Sequence, residues 1–328
     1  MNIRLNRRLA TAALALGLAA AFGAHADPSF PNKPVTLTTA FPPGSGPDAV
    51  LRQVGDKLSK LWGQPVMITN RPGGGGFIAI EAVRRLPADG YNLLQLDSEH
   101  LSALPLLYKS RNFVTLDHFD PVAILFRTPF LVAVSTESKW KDMKDLIATA
   151  KANPGKLSYG SWGVGSPGHL AGEQLELQAG LDMAHVAYRE VSQLFTSVAT
   201  GEPAWSMASI PSSQGVFKAG KLRYIAVAAP RRIPQMPDVP TVQEAGGPAN
   251  FDINSFVSLV APKGLSPEVA AKINADVQKV LADPEVKARF TAFAFETLNW
   301  TPAEIRRQVD TKFKTYEQLV KRKNISLD

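Results

Sequence analysis

Between residues 35 and 188, short apolar runs alternate with stretches whose apolar positions recur every three or four residues. Val35 to Thr39 is rich in β-branched residues and reads as a strand. Val50, Val54, Leu58, Leu61 and Trp62 then share one face of an amphipathic helix. Pro65 to Asn70 predicts a second strand, Ile78 to Leu86 a helix, and Tyr91 to Leu96 a third strand after the turn Pro87-Ala88-Asp89-Gly90. That βαβαβ order is the one that builds a parallel sheet with helices on both faces.

The pattern breaks near Arg127-Thr128-Pro129 and then restarts. Strands are predicted at Phe130 to Val134, Leu157 to Gly160, Ala184 to Tyr188 and Tyr224 to Ala228, with helices at Met143 to Ala152 and His169 to Ala179. Five prolines between Ala229 and Asn250 resist regular structure and can return the chain to the first half. The C-terminus is helical. Ser266 is an N-cap before Pro267, and Thr301-Pro302-Ala303-Glu304 has the spacing of a capping box. The expected architecture is α/β with two lobes, the chain crossing between them twice. Lobe 1 is 27–127 plus 247–328, and lobe 2 is 128–246.

The first 26 residues change the composition. Arg4, Arg7 and Arg8 precede a 14-residue apolar run from Leu9 to Phe22, shorter than the roughly 20 residues of a spanning helix, and Ala24-His25-Ala26 fits a signal-peptidase site. Export to the periplasm with cleavage after Ala26 is expected. Removing this segment lowers the net charge from +7 to +4, because it holds three Arg and no acid. The remaining basic residues form scattered short clusters, a poor match to nucleic-acid binding. With no cysteine in the chain there is no disulfide, thiolate metal site, cysteine nucleophile or lipid-bearing cysteine.

Ligands of such sheets bind outside the carboxyl ends of the strands, where loops enter helices. Phe41-Pro42-Pro43-Gly44-Ser45-Gly46-Pro47-Asp48 is one such loop, suited either to an anion or to a plain turn with Asp48 as cap. Four glycines after Asn70-Arg71-Pro72 lack the Gly-Lys-Ser/Thr of a P-loop and read as a structural turn. Gly163-Val164-Gly165-Ser166-Pro167-Gly168 fits G-x-G-x-x-G, yet an anion site at the following helix start accounts for it without a dinucleotide. His169 and Glu173 share a helix face but lack a third metal ligand. No hydrolase, zincin or calcium-loop motif is present. Neither a cofactor nor a metal is expected.

Collinear motifs then point to a family. They include Pro31-Asn32-Lys33-Pro34-Val35, Phe41-Pro42-Pro43-Gly44 with Asp48, Asn70-Arg71-Pro72-Gly73, Ala88-Asp89-Gly90-Tyr91, Pro154-Gly155-Lys156-Leu157, His169-Leu170-Ala171-Gly172-Glu173 and Pro237-Asp238-Val239-Pro240-Thr241. Over essentially the whole mature chain the sequence resembles the Bug family, the periplasmic solute-binding proteins of tripartite tricarboxylate transporters. The resemblance implies a type II-like Venus-flytrap fold that closes on a small carboxylate, without enzymatic activity, and a monomer that delivers it to the transporter's membrane components. Carried over, the ligand loops supply Gly44, Ser45, Gly46 and Asp48 from one lobe and Ser166, Gly168 and His169 from the other.

Departures from the family pattern bear on the ligand. Ser45 stands where a glycine is usual, Arg189 lies in a run that is usually Tyr-Lys-Gly-Gly, Ala204 replaces an acid, and Trp162 and Trp205 are expected at loop positions. Arg189 is a candidate partner for a second carboxylate, or a surface charge paired with Glu190. Trp162 or Phe41 is a candidate to pack on an apolar or aromatic body. Two other functions are kept: a receptor whose liganded form docks on a sensor kinase, and an exported hydrolase using His169 or His100.

Overall fold

Among the described residues, ten strands sort into two five-stranded sheets with the same internal plan. The computed structural model describes residues 30–328, and both sheets lie in one unit spanning Lys33–Asp328. The expected signal segment lies outside the described residues. In chain order the first sheet takes β1 (Val35–Thr39), β2 (Val66–Asn70), β3 (Asn92–Asp97), β4 (Phe119–Pro129) and β10 (Asn254–Pro262). The second takes β5 (Leu131–Ser135), β6 (Ser158–Ser161), β7 (Ala184–Ala187), β8 (Trp205–Ala208) and β9 (Leu222–Val227). The strand orders are β2-β1-β3-β10-β4 and β7-β6-β8-β5-β9.

Neither sheet is wholly parallel. In the first, β1 runs parallel to β2 and β3, while β10 is antiparallel to β3 and β4. In the second, β6 runs parallel to β7 and β8, while β5 is antiparallel to β8 and β9. In each sheet the antiparallel strand is the one that has just arrived from the other sheet. The chain leaves the first sheet at Pro129 and joins the second at Leu131, then returns between Val227 and Asn254. A strand entering from the opposite end runs against its neighbours, which corrects the parallel sheet expected from element order alone.

The helices are α1 (Gly46–Trp62), α2 (Phe77–Val83), α3 (Ser98–Ser102), α4 (Leu104–Leu107), α5 (Thr115–His118), α6 (Met143–Ala152), α7 (Pro167–Ala179), α8 (Val191–Ala199), α9 (Ile210–Lys218), α10 (Pro267–Leu281), α11 (Pro284–Phe293) and α12 (Pro302–Lys323). Their apolar faces bury against the sheets: Phe77, Ile80 and Val83 meet Leu94 and Leu96 in the first lobe, and Leu146 and Leu175 meet Val132 and Trp205 in the second. Ser266 caps α10 with Pro at the first position, as the sequence predicts. Thr301 caps α12, but Glu304 bonds to Arg307 and Gln308, so the reciprocal half of the expected capping box does not form.

The break expected at 127–129 is the end of β4, whose Arg127-Thr128-Pro129 pair with Phe256, Ser255 and Asn254. Trp205 also departs from expectation. It is a fully buried strand residue stacked on Tyr159 at 5.3 Å, not a loop residue.

Helix α12 ties the two halves together. It packs on β4, α3 and α4, and its Leu319 and Val320 share an apolar cluster with Leu107 of α4 and Leu170 of α7. Lys323, its last residue, pairs with Glu173 at 3.2 Å and with Glu176, both on α7.

Candidate functional site

Two loops at the carboxyl ends of the leading strands repeat one construction. After β1, Ser45 caps α1: its Oγ accepts the Asp48 N–H at 3.4 Å and donates to the Pro42 carbonyl at 2.8 Å. After β6, Ser166 caps α7: its Oγ accepts the His169 N–H at 3.3 Å and donates to the Gly163 carbonyl at 2.7 Å. The third helical residue then reaches back over the loop. The Gly44 N–H donates to Asp48 Oδ2 at 2.8 Å, and the Gly165 N–H donates to His169 Nδ1 at 3.1 Å. Gly44 and Gly165 both have φ of 80°, a conformation in which a side chain is strained. A Ser-Pro pair opens α7 and Ser-Gly-Pro opens α1, since Pro near the first position gives up only an N–H the helix cannot use.

Each cap satisfies one first-turn donor. The Gly46 and Gly168 N–H groups also belong to the first turns, which lack intrahelical acceptors, so each lobe presents backbone donors at a helix start. Gly46 approaches Pro211 of the second lobe, where an added Cβ would stand 3.2 Å from Cγ. Gly165 abuts Leu107 of the first lobe, where an added Cβ would stand 2.5 Å from Cδ1. The two loops thus lie on opposing lobes at points where those lobes touch.

The side chains differ in charge. Asp48 is 3% exposed, and Arg52 and Asn70 hold both of its oxygens: Arg52 Nε donates to Oδ2 at 3.1 Å and Asn70 Nδ2 to Oδ1 at 2.7 Å. Burial alone raises its pKa, but Arg52, Asn70 and the Gly44 N–H outweigh that and hold the carboxyl below its usual value. Asn70 also donates to the Phe41 carbonyl at 3.1 Å, which fixes the start of the loop. His169 goes the other way. Its Nδ1 accepts from Gly165, so the proton sits on Nε2, 3.6 Å from Glu173 Oε1. Burial pushes its pKa down, against the pull of Glu173 and with Lys323, so His169 is neutral. His185 lies 4.1 Å from it, ring to ring, and burial lowers that imidazole to about 4.

The other expected residues fall nearby or apart. Phe41 packs edge-on against His100 at 5.7 Å. Trp162 covers Gly168, where an added Cβ would meet Cζ3 at 2.8 Å, and lies 5.7 Å from Phe130 at the crossover. Arg189 is exposed in the turn between β7 and α8, and it forms no ion pair with Glu190 among the described residues. The hydroxyls of Ser45 and Ser166 are both engaged within their own loops, so these residues offer backbone shape more than free hydroxyls. Among the described residues no cluster of three or more His, Asp or Glu side chains forms a metal-binding group.

Three further residues complete the arrangement, two of them without a role in the sequence reading and the third there only a possible hydrolase residue. Asn70 and Arg52 clamp Asp48, and the Asn-Arg-Pro-Gly motif was the available signal for Asn70. His100, on α3, is the third, and its spacing from Asp97 was visible as D-x-x-H. The four glycines Gly73 to Gly76, all at positive φ, let the turn lie against aromatic rings: an added Cβ would run into Tyr108 at Gly75 and into His100 at Gly76.

Two hollows are found at the surface. One, of about 560 Å³, backs onto the first loop through Gly44, Asp48, Arg52 and Arg289; another, of about 660 Å³, lies on the second lobe around Trp140 and Thr200, away from both loops.

A family model described as tripartite tricarboxylate transporter family receptor matches residues 50–325. A protein of Pseudomonas sp. (strain P51), described as a UPF0065 protein in the tcbD-tcbE intergenic region, is 31% identical over 97% of this chain and 94% of its own length. Protein BugT of Bordetella pertussis is 29% identical over 85% of each chain. Among solved structures, an R. palustris protein with adipate superposes with a TM-score of 0.83 at 28% identity, covering 91% of this chain and 100% of the other. MatC from Rhodopseudomonas palustris with bound malate gives 0.80 at 26% identity, covering 89% and 100%.

Proposed function

We propose, from the premise that this chain belongs to the tripartite tricarboxylate transporter family of receptors, that it captures a small organic carboxylate between its lobes and delivers it to the transporter's membrane components. That family is one of periplasmic solute-binding proteins, not of enzymes, and this chain is a solute-binding protein of the same kind. The observation that carries the finer reading is the matched pair of Ser-capped helix starts, one per lobe. Backbone N–H groups at a helix start attract an anion, and two such ends facing one cleft hold a carboxylate only when the lobes are together. Binding therefore favours the closed arrangement by its differential contacts. Relatives of this fold hold adipate and malate, which supports a carboxylate here.

The proposed ligand contacts are Gly44, Ser45, Gly46 and Asp48 from the first lobe and Ser166, Gly168 and His169 from the second. Asp48 and His169 act by holding their loops in shape. Phe41 and Trp162 are the proposed apolar contacts, and Arg189 is the proposed partner of a second carboxylate. The proposed lobe division is 27–127 with 247–328 against 128–246, supported by the two sheet changes near Pro129 and between Val227 and Asn254.

A thermal-shift screen of mono- and dicarboxylates tests the reading. A ligand at 100 times its Kd stabilises the native state by about 2.7 kcal/mol. Stabilisation by at least one carboxylate is expected; absence of any shift across the panel contradicts the function.

A further inference from the structure

We propose that His100 is a ligand-reading residue of the first lobe, donating from Nε2 to the second carboxylate of the bound solute opposite Arg189 of the second lobe. The inference rests on the carboxylate-receptor reading above and names a contact that the ligand loops do not contain.

Three βα turns of the first sheet converge on this imidazole. It stands at the end of β3 as the third residue of α3. Phe41, from the turn after β1, packs edge-on against it at 5.7 Å. Gly76, from the turn after β2, lies so close that an added Cβ would overlap the Nε2–Cδ2 edge. The carboxyl ends of parallel strands are where α/β sheets bind ligands, and His100 is at the meeting point of three of them.

The ring has a defined orientation. Nδ1 lies 2.5 Å from Asp97 Oδ1 and 3.4 Å from the Asp97 N–H. The shorter contact requires a proton on Nδ1, so the longer one is not a hydrogen bond. Asp97 therefore fixes the imidazole and leaves Nε2 pointing away from the carboxylate. Nε2 has no hydrogen-bond partner among the described residues, and it is not among their buried polar atoms left without one. The side chain keeps 16% of its surface open.

Charge follows from the same contacts. Burial disfavours the imidazolium, but the Asp97 carboxylate and Glu99 outweigh it and raise the pKa above the ordinary imidazole value. Glu99 is itself held by Ser98, Ser255, Tyr316 and Lys312. With both nitrogens protonated, Nε2–H is a charged donor, and charged donors to carboxylates are the strong ones. Arg189 is exposed on the other lobe, with no ion-pair partner among the described residues.

The test compares α,ω-dicarboxylates from succinate to suberate with monocarboxylates of equal chain length, titrated into the wild type and His100→Gln. The wild type is expected to bind at least one dicarboxylate more tightly than its monocarboxylate partner. His100→Gln is expected to weaken that dicarboxylate about tenfold or more and leave the monocarboxylate within about twofold. Equal dicarboxylate affinity in wild type and variant overturns the role of His100 and leaves the receptor function standing. So does a wild type that binds both acids equally. A wild type that binds no acid overturns both. A second readout needs no variant. In ¹⁵N-histidine-labelled wild type, the His100 Nε2 resonance is expected to move with the dicarboxylate and not with the monocarboxylate, and a stationary resonance overturns the contact.

Discussion

Asp48 and His169 hold the same place in the two lobes. Each is the third residue of a Ser-capped helix, and each accepts a backbone N–H from the glycine four residues before it, at 2.8 and 3.1 Å. One acceptor is a carboxylate balanced by Arg52 and the other a neutral imidazole. The backbone geometry is thus shared while the electrostatics are not, and the two halves are expected to respond differently to substitution and to pH.

Asp48→Ala removes acceptors for Gly44, Arg52 and Asn70 together. A loss of about 2 kcal/mol in urea unfolding is expected, with weaker carboxylate binding because the loop loses its tie. Asp48→Asn should recover part of the stability, since an amide oxygen still accepts. Unchanged unfolding in Asp48→Ala would show that the clamp contributes nothing.

The acid response has two components of opposite sign. His185 is lowered to about 4 and His169 is lowered too, so an unfolded chain binds protons below about pH 6.5 that the folded chain refuses. Their stabilisation is complete above that pH and is lost as pH falls towards 4. His100 is raised, so its contribution is present below pH 6.5 and is lost as pH rises through its folded pKa. Asp48 is lowered, and its share disappears only as pH falls below the usual carboxylate range. Histidine C2–H NMR titration should show His185 titrating near pH 4 and His100 above 6.5. The reverse order would refute the assignment.

Lys323→Met should strand Glu176, which is 3% exposed and already raised in pKa by burial. A cost of about 2–3 kcal/mol is expected, partly recovered in Lys323→Met with Glu176→Gln, because the remaining partner is then neutral. Additive losses in the double variant would show that the two residues do not interact across α12 and α7.

Arg189→Ala is expected to weaken a dicarboxylate and spare the matched monocarboxylate, without a change in melting temperature, because the side chain is exposed and forms no ion pair among the described residues. Unchanged dicarboxylate affinity would remove Arg189 from the site.

The two Ser-capped loops were legible because local chemistry writes them: glycine where φ is positive, serine at the cap, proline beside it. β4 and β10 were not. Phe119–Pro129 carries Val122 to Phe126 as an unbroken buried run, so no alternation marks it, and Arg127-Thr128-Pro129 looks like a breaker. Its pairing with Asn254–Pro262 joins segments more than 120 residues apart, beyond any local pattern. Trp205 was misplaced for a similar reason, since a four-residue strand buried on both faces has no period to read. His100 was noticed only as a possible catalytic group. Its meeting with Phe41 and Gly76 depends on three turns that the sheet order brings together.

Isothermal titration of the chain with the succinate-to-suberate series and the matched monocarboxylates tests the central claim most directly. The account predicts saturable one-to-one binding of at least one carboxylate, weakened when Asp48 or His169 is replaced. No heat of binding with any member, or binding indifferent to both replacements, would contradict it.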